Sequence, residues 1–116
     1  MKDRVECTKG EPCTFTVTFS AGIPARYTEA KFQVRDEWGE SSQLRLSATH
    51  ADGISIAHGT PGVVSISLGA TKTEAMEELQ QERVMAAQLR LYDPTNPDDT
   101  MGGKIPFIYL PEVIDD

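Results

Sequence analysis

Alternating apolar and polar residues run through most of the chain and predict a series of short β-strands. In segment 13–20, Phe15, Val17 and Phe19 alternate with threonines, so an extended strand would have one apolar face and one polar face. The same pattern predicts strands over 2–8, 28–35, 43–48, 54–56, 63–68, 84–92 and 104–110. Gly, Pro and Asp residues separate these segments, as is typical of turns. Many short strands favour a sandwich or a barrel.

One segment departs from this pattern and predicts a helix. Thr71 and Glu74 are three residues apart, which is the spacing of a capping box at a helix N-terminus. Ala75, Met76 and Leu79 follow at helical spacing. The sequence therefore predicts one short helix over about 72–81, crossing between strands and covering one end of the core.

Prolines shape the expectations for the C-terminal part of the chain. Segment 93–100 is polar and contains two prolines, so we expect an outward loop there. Pro106 lacks a backbone N–H, which favours an edge position or a bulge for the last strand, 104–110.

Length and charge limit the classes of partner. The 116 residues predict a single domain, 1–116, that is large enough to bury a core. The chain has 18 acidic and 11 basic residues, for a net charge of −7, which disfavours nucleic acid and anionic membranes as partners. It has neither a signal-peptide pattern nor an apolar run of membrane-spanning length, so we expect synthesis and assembly in the cytoplasm.

The two cysteines are too few for a disulfide scaffold. Cys13 is in phase with Phe15, which favours a small buried apolar residue. A bridge between Cys7 and Cys13 could close a tight hairpin, but a reducing compartment disfavours it. We therefore expect both thiols to stay free.

Two polar clusters could bind an ion. One cluster, suited to zinc, consists of His50, Asp52 and His58. The other, suited to calcium, consists of Asp93, Asp98 and Asp99. Neither has the ligand spacing of a common metal motif, and solvated turns explain both. The chain also has no nucleotide-binding or hydrolase motif, so we expect a protein that is not an enzyme and uses no cofactor.

Candidate contact residues lie around the one tryptophan and in the last strand. Trp38 follows Glu37 in a predicted turn, where it either covers the core or forms an exposed anchor. The last strand has large apolar residues on both faces, so it needs a second covering partner, either the helix or another chain. The predicted partner-binding residues are four apolar anchors, Trp38, Phe107, Tyr109 and Leu110, and two acidic residues at their rim, Glu37 and Glu40, which would steer a basic partner.

The order of the segments resembles a known family. The matching segments are 10–19, 30–35, 44–46, 52–56, 62–68, 71–78 and 88–93. Together they are similar to the small Ig-like β-sandwich domains of bacteriophage and prophage tail and baseplate proteins, above all the N-terminal domain of baseplate upper proteins. The resemblance extends over about 8–113, and it brings no catalytic residues with it.

The resemblance implies an all-β, Ig-like antiparallel sandwich of about seven or eight strands with one short helix. It also implies a non-enzymatic virion protein of the tail or baseplate that is assembled in the host cytoplasm. Its partners would be other phage structural proteins and copies of itself in a homo-oligomer. Two alternatives are a head decoration or head-completion protein, and a carbohydrate-binding module. The latter would need a row of exposed rings from Trp38, Tyr27, Tyr92 and Tyr109.

Overall fold

Two β-sheets contain most of the chain that the structure describes. The structure, a computed structural model, describes residues 5–8, 10–38, 44–74 and 83–110. The strands within these ranges are β1 (Val5–Thr8), β2 (Cys13–Phe19), β3 (Glu29–Arg35), β4 (Leu44–Thr49), β5 (Ile54–Ala57), β6 (Gly62–Leu68), β7 (Arg83–Asp93) and β8 (Asn96–Leu110). One sheet has the order β1-β8-β7-β3-β4, and the other has the order β2-β6-β5.

The strand order confirms the predicted all-β sandwich with Ig-like topology. In an immunoglobulin sandwich, strands B, E and D share one sheet, while C, F and G share the other. Here β2, β6 and β5 match the first set, and β3, β7 and β8 match the second. One described pair is an exception to the antiparallel pairing of the sandwich, because β1 runs parallel to β8. These two strands come from opposite ends of the chain, so no tight hairpin forces them to be antiparallel.

The core lies between the two sheets and is built from alternate residues of each strand. Its largest fully buried apolar side chains come from both sheets and are Phe32, Phe107, Ile66, Leu68, Leu89, Leu91, Val34 and Val64. The ring of Phe32 lies between two other aromatic rings, with centroids 5.4 Å from Phe15 and 6.1 Å from Phe107. Burial of these inward faces is what the alternating pattern predicts.

The predicted loop over 93–100 is wrong, because most of this segment belongs to a long hairpin. Strands β7 and β8 are joined by a two-residue turn, since Asp93 pairs with Asn96. The Asp93 carboxylate accepts hydrogen bonds from the backbone N–H and the hydroxyl of Thr95, at 2.9 and 2.8 Å. The register shifts after this pair, so that residues 97–99 bulge out before Thr100 pairs with Tyr92.

The expected edge position of the last strand is also wrong. Strand β8 lies inside the five-stranded sheet, between β1 and β7. Its described pairs with β1 begin at Phe107, one residue after Pro106. As far as the described ranges extend, Pro106 therefore precedes the stretch in which β8 has neighbours on both sides.

The cysteines form a disulfide, contrary to the expectation of two free thiols. Cys7 of β1 is bonded to Cys13 of β2, with the two Cα atoms 5.5 Å apart. The bridge joins the two sheets at the turn between these strands. Cys13 is buried, as its phase with Phe15 predicts.

The predicted helix begins slightly earlier than expected. Helix α1 spans Ala70–Glu74, and 75–82 lie outside the described residues. The Gly69 carbonyl accepts hydrogen bonds from the N–H groups of residues 72 and 73, which places Thr71 inside the helix and not at its N-cap. The fully buried Thr73 hydroxyl lies 3.0 Å from the Glu11 carbonyl oxygen and ties the helix to the turn between β1 and β2. Within the described ranges, no helix could span a membrane.

Candidate protein-interaction surface

The outer face of the five-stranded sheet presents two adjoining features, one basic and one apolar. Residues of β3, β7 and β8 that alternate with the core residues point away from the second sheet. The strand register sets them in rows across the face. Gln33 lies opposite Gln88, which lies opposite Lys104. In the next row of the same face, Arg35 lies opposite Ala86.

The first feature, the basic trough, is a depression of about 380 Å³ that is lined by Lys31, Gln33, Arg35, Gln88 and Arg90. Lys31 and Arg90 are direct cross-strand neighbours. The trough thus concentrates positive charge on a chain whose net charge is −7.

The second feature, the aromatic groove, is a depression of about 440 Å³ whose outward-facing lining is Trp38, Val84, Lys104, Pro106 and Ile108. Trp38 is 52% exposed, and Val84 is 72% exposed. The Lys104 ammonium lies 4.6 Å from the centre of the Trp38 ring, within the range of a cation–π contact. Since Lys104 is also the cross-strand neighbour of Gln88, the groove and the trough form one continuous surface.

The predicted contact residues divide into several groups. Trp38 and Glu37 are exposed beside the groove, and Leu110 is partly exposed at the end of β8. Phe107 is 0% exposed and lies in the core between the sheets, so the prediction that it is a surface anchor is wrong. Phe107 lies on the inner face of β8 because it is opposite the buried Met85. The backbone of Tyr109, a residue of β8, pairs with β1. The side chain of Tyr109 and the whole of Glu40 lie outside the described residues.

A small polar network, the tip latch, fixes the bulge of β8 to the loop before β3. It consists of Arg26, Tyr27 and Asp99. The Asp99 carboxylate accepts hydrogen bonds from the guanidinium of Arg26 at 2.8 Å and from the hydroxyl of Tyr27 at 2.6 Å. The Arg26 guanidinium also lies 4.6 Å from the centre of the Tyr27 ring. The latch places the hairpin tip against the rest of the domain.

The latch shifts the pKa values of its members in directions that follow from its hydrogen bonds. The bond from Arg26, followed by that from Tyr27, stabilises the carboxylate and holds the pKa of Asp99 below its usual value. The same bond to Asp99 raises the pKa of Tyr27, because ionisation would remove the donated proton. Every group in the network already has a partner within it. We therefore assign the tip latch a structural role.

The candidate ion-binding clusters are not assembled. Among the described residues, no three His, Cys, Asp or Glu side chains are close enough together to hold a metal ion. In the first cluster, the Asp52 carboxylate accepts a hydrogen bond from Lys72 at 2.9 Å, and a ring nitrogen of His58 lies 2.8 Å from the Tyr27 carbonyl oxygen. In the second, Asp99 belongs to the tip latch, while Asp93 bonds the hairpin turn.

Sequence reasoning missed the basic trough. Its signal was present, because Lys31, Gln33 and Arg35 alternate with the buried Phe32 and Val34. What the sequence does not state is that β7 pairs with β3 and brings Gln88 and Arg90 onto the same face. From the sequence alone, the charges expected at the contact surface are therefore those of the acidic residues near Trp38.

Comparison with known proteins does not assign the chain to a family. No protein-family model matches it, and no curated protein is significantly similar to it in sequence. The functional argument therefore depends on the fold and on the outer face of the five-stranded sheet.

Proposed function

We propose that this protein is a non-enzymatic structural component of a phage virion that docks on other virion subunits through the outer face of its five-stranded sheet. We place it in the tail or baseplate, on the basis of the family resemblance in its strand segments. The observation that carries the docking role is the aromatic groove, whose lining includes the exposed side chains of Trp38, just after β3, and Val84 of β7.

The exposure of these two side chains supports a contact surface. Large apolar side chains clustered on a surface are typical of protein interaction sites. Tryptophan is among the residues that contribute most to binding energy when a partner covers them. Trp38 and Val84 meet both criteria, and the charged trough beside them would form part of a polar rim.

The charges of the trough also favour binding over catalysis. Lys31, Arg35 and Arg90 carry cationic side chains that offer hydrogen-bond donors and no acceptor. Such groups hold an anion, but they do not exchange a proton readily with a substrate. The two glutamines beside them donate and accept hydrogen bonds without titrating.

The disulfide is consistent with a protein that acts outside a cell. Disulfides persist at virion and cell surfaces and are rare in proteins that stay in reducing cytosol. The Cys7–Cys13 bridge would form as particles leave the host cytoplasm in which they assemble. Because virions are built from symmetric copies, we also propose that the chain forms a homo-oligomer, which sedimentation velocity measures directly.

The test is incorporation into particles. Particles from the host that carries this coding sequence are purified on a density gradient, and copies per particle are counted by quantitative mass spectrometry. The wild-type chain is expected at a fixed copy number, and a Trp38→Ser/Val84→Ser variant at about a tenth of that number or less, as loss of a contact hot spot predicts. A Thr16→Ser/Thr18→Ser variant is the control, because both residues are exposed on β2 of the other sheet.

Circular dichroism first establishes that each variant folds. The outcomes then test the virion role and docking through the groove separately. Absence of the wild-type chain from purified particles would contradict the virion role. Full incorporation of the double variant would contradict docking through the groove. Antibody labelling of intact particles then distinguishes a tail position from the head position of a decoration protein.

A further inference from the structure

We propose that the basic trough binds an extended, acidic segment of a protein partner. This inference rests on the proposed docking function and adds the chemistry of the partner. It reverses the direction of charge that the sequence analysis assigned, in which acidic residues near Trp38 steer a basic partner.

The first argument is the arrangement of like charges across β3 and β7. Lys31 and Arg90 are directly opposite each other in the register, and both point to the outer face. Like charges in directly opposite positions destabilise a sheet. Lys31 extends over the neighbouring Tyr92 ring, with its ammonium 5.6 Å from the ring centre, and it forms no ion pair with any residue in the described ranges. An anionic group above this row would relieve the repulsion.

The second argument is the chemistry of the lining. Arginine and lysine bind carboxylates through charge-assisted hydrogen bonds, which are stronger than neutral ones. Gln33 and Gln88 lie opposite each other between the charged rows, and their amide groups can donate to the same anion. The lining thus combines cations with neutral donors, and among the residues that the structure describes, no acidic side chain contributes to it.

The third argument is the space above the trough. Arg90 lies opposite Gly102, so β8 has no side chain beside Arg90 on the outer face. A second depression of about 210 Å³, lined in part by Arg90 and Gly102, adjoins the trough there.

The geometry favours an extended peptide whose acidic residues are spaced like the cations. Lys31 and Arg35 are four residues apart on one strand, which corresponds to about 14 Å at the rise of an extended chain. Acidic residues at positions i and i+4 of an extended peptide have the same spacing. A peptide lying along β3 would therefore place one carboxylate over Lys31 and Arg90 and the next over Arg35.

Charge also favours an acidic peptide over nucleic acid. Nucleic acid carries a phosphate charge every few ångströms, so a chain of net charge −7 repels it strongly at long range. An alternating acidic peptide carries one charge in about 7 Å, and only its contact residues need to meet the trough. The same side of the peptide could continue past Lys104 into the aromatic groove.

The experiment measures binding of fluorescein-labelled octapeptides by fluorescence anisotropy. The test peptide alternates Glu with Thr, and the matched peptide alternates Gln with Thr. A labelled DNA octanucleotide is the third probe. The trough variant is Lys31→Gln/Arg90→Gln, which lowers the net charge by two. The matched control, Thr16→Glu/Thr18→Glu, makes the same change at exposed positions of β2 on the other sheet.

The expected result is that the wild-type protein binds the Glu peptide at least tenfold more tightly than the Gln peptide. Its Kd should rise about tenfold in the trough variant and less than twofold in the control variant, as loss of direct charge contacts predicts. Affinity should also fall between 50 and 300 mM NaCl, because salt screens exposed charges.

Three results would overturn the inference: equal affinity for the Glu and Gln peptides, equal loss in both variants, or tighter binding of the oligonucleotide. None of these results depends on particle incorporation through Trp38 and Val84. Failure of the peptide test would therefore leave the proposed docking role standing, while failure of incorporation would leave the trough chemistry intact.

Discussion

The ring of Phe15 in the three-stranded sheet lies edge-on to the ring of Phe32 in the five-stranded sheet, with centroids 5.4 Å apart and planes at 66°. This contact joins the two layers of the sandwich, and Phe32 is fully buried. Edge-to-face pairs add about 0.5–1.5 kcal/mol to the energy of burial.

Replacing Phe32 with Ala should lower the free energy of unfolding by about 3–5 kcal/mol, because it leaves a cavity between the sheets. Phe15→Leu should cost only about 1 kcal/mol, since it keeps most of the apolar volume. Urea unfolding followed by circular dichroism measures both. Equal losses in the two variants would contradict the central position of Phe32.

Reduction of the Cys7–Cys13 disulfide should destabilise the protein without unfolding it. The bridge closes a loop with a sequence separation of six, for which the chain-entropy relation gives about 2 kcal/mol. Urea unfolding with and without dithiothreitol measures this difference. A Cys7→Ala/Cys13→Ala variant is the control, since it should be insensitive to the reductant. Titration of two free thiols in the untreated protein would disprove the bridge.

The tip latch should weaken in acid. The folded-state pKa of Asp99 is below its unfolded value, so the unfolded chain binds more protons. The stabilisation is therefore complete above the unfolded pKa of an aspartate and is lost as pH falls through the lower, folded pKa. Thermal melts between pH 7 and pH 2 should show a smaller acid-induced fall in Tm for Asp99→Asn than for the wild type.

Asp98→Asn is the control for the latch, because Asp98 is the neighbouring exposed carboxylate and takes no part in the network. It should keep the wild-type dependence on pH. If Asp98→Asn flattened the acid response as much as Asp99→Asn, the response would come from general charge and not from the latch.

The contact between Lys104 and Trp38 should give a measurable coupling energy. The ammonium is 4.6 Å from the ring centre at an exposed site, where cation–π contacts contribute about 0.5–1 kcal/mol. A double-mutant cycle with Lys104→Met and Trp38→Leu isolates this quantity from urea unfolding. Lys104→Met keeps most of the apolar stem, so its effect reports the charge. Strict additivity of the two substitutions would show that the pair does not interact.

Local patterns predicted the strands well because each strand buries one face. Strand β2 was predicted over 13–20 and spans Cys13–Phe19, and β6 was predicted over 63–68 and spans Gly62–Leu68. In both strands, the apolar residues of the alternation face the core. Period-two alternation is a local signal, so no information about neighbouring strands was needed.

The features that sequence reasoning missed depend on how strands pair and bulge, which period-two alternation does not encode. The predicted edge position of the last strand failed because β1, from the other end of the chain, pairs with β8 from Phe107 onwards. The loop prediction over 93–100 failed because a bulge accommodates Pro97 within a hairpin. The trough was missed for the same reason, since Arg90 joins Lys31 only through the pairing of β7 with β3.

The most direct test of the docking face is photo-cross-linking in assembled particles. A benzophenone amino acid replaces Val84 in the aromatic groove or, as a control, Thr16 on the outer face of the other sheet. After irradiation, mass spectrometry identifies the joined subunits. We predict that position 84 forms a defined adduct with another virion subunit and that position 16 does not. Adducts from position 16 with none from position 84 would contradict docking through the five-stranded sheet.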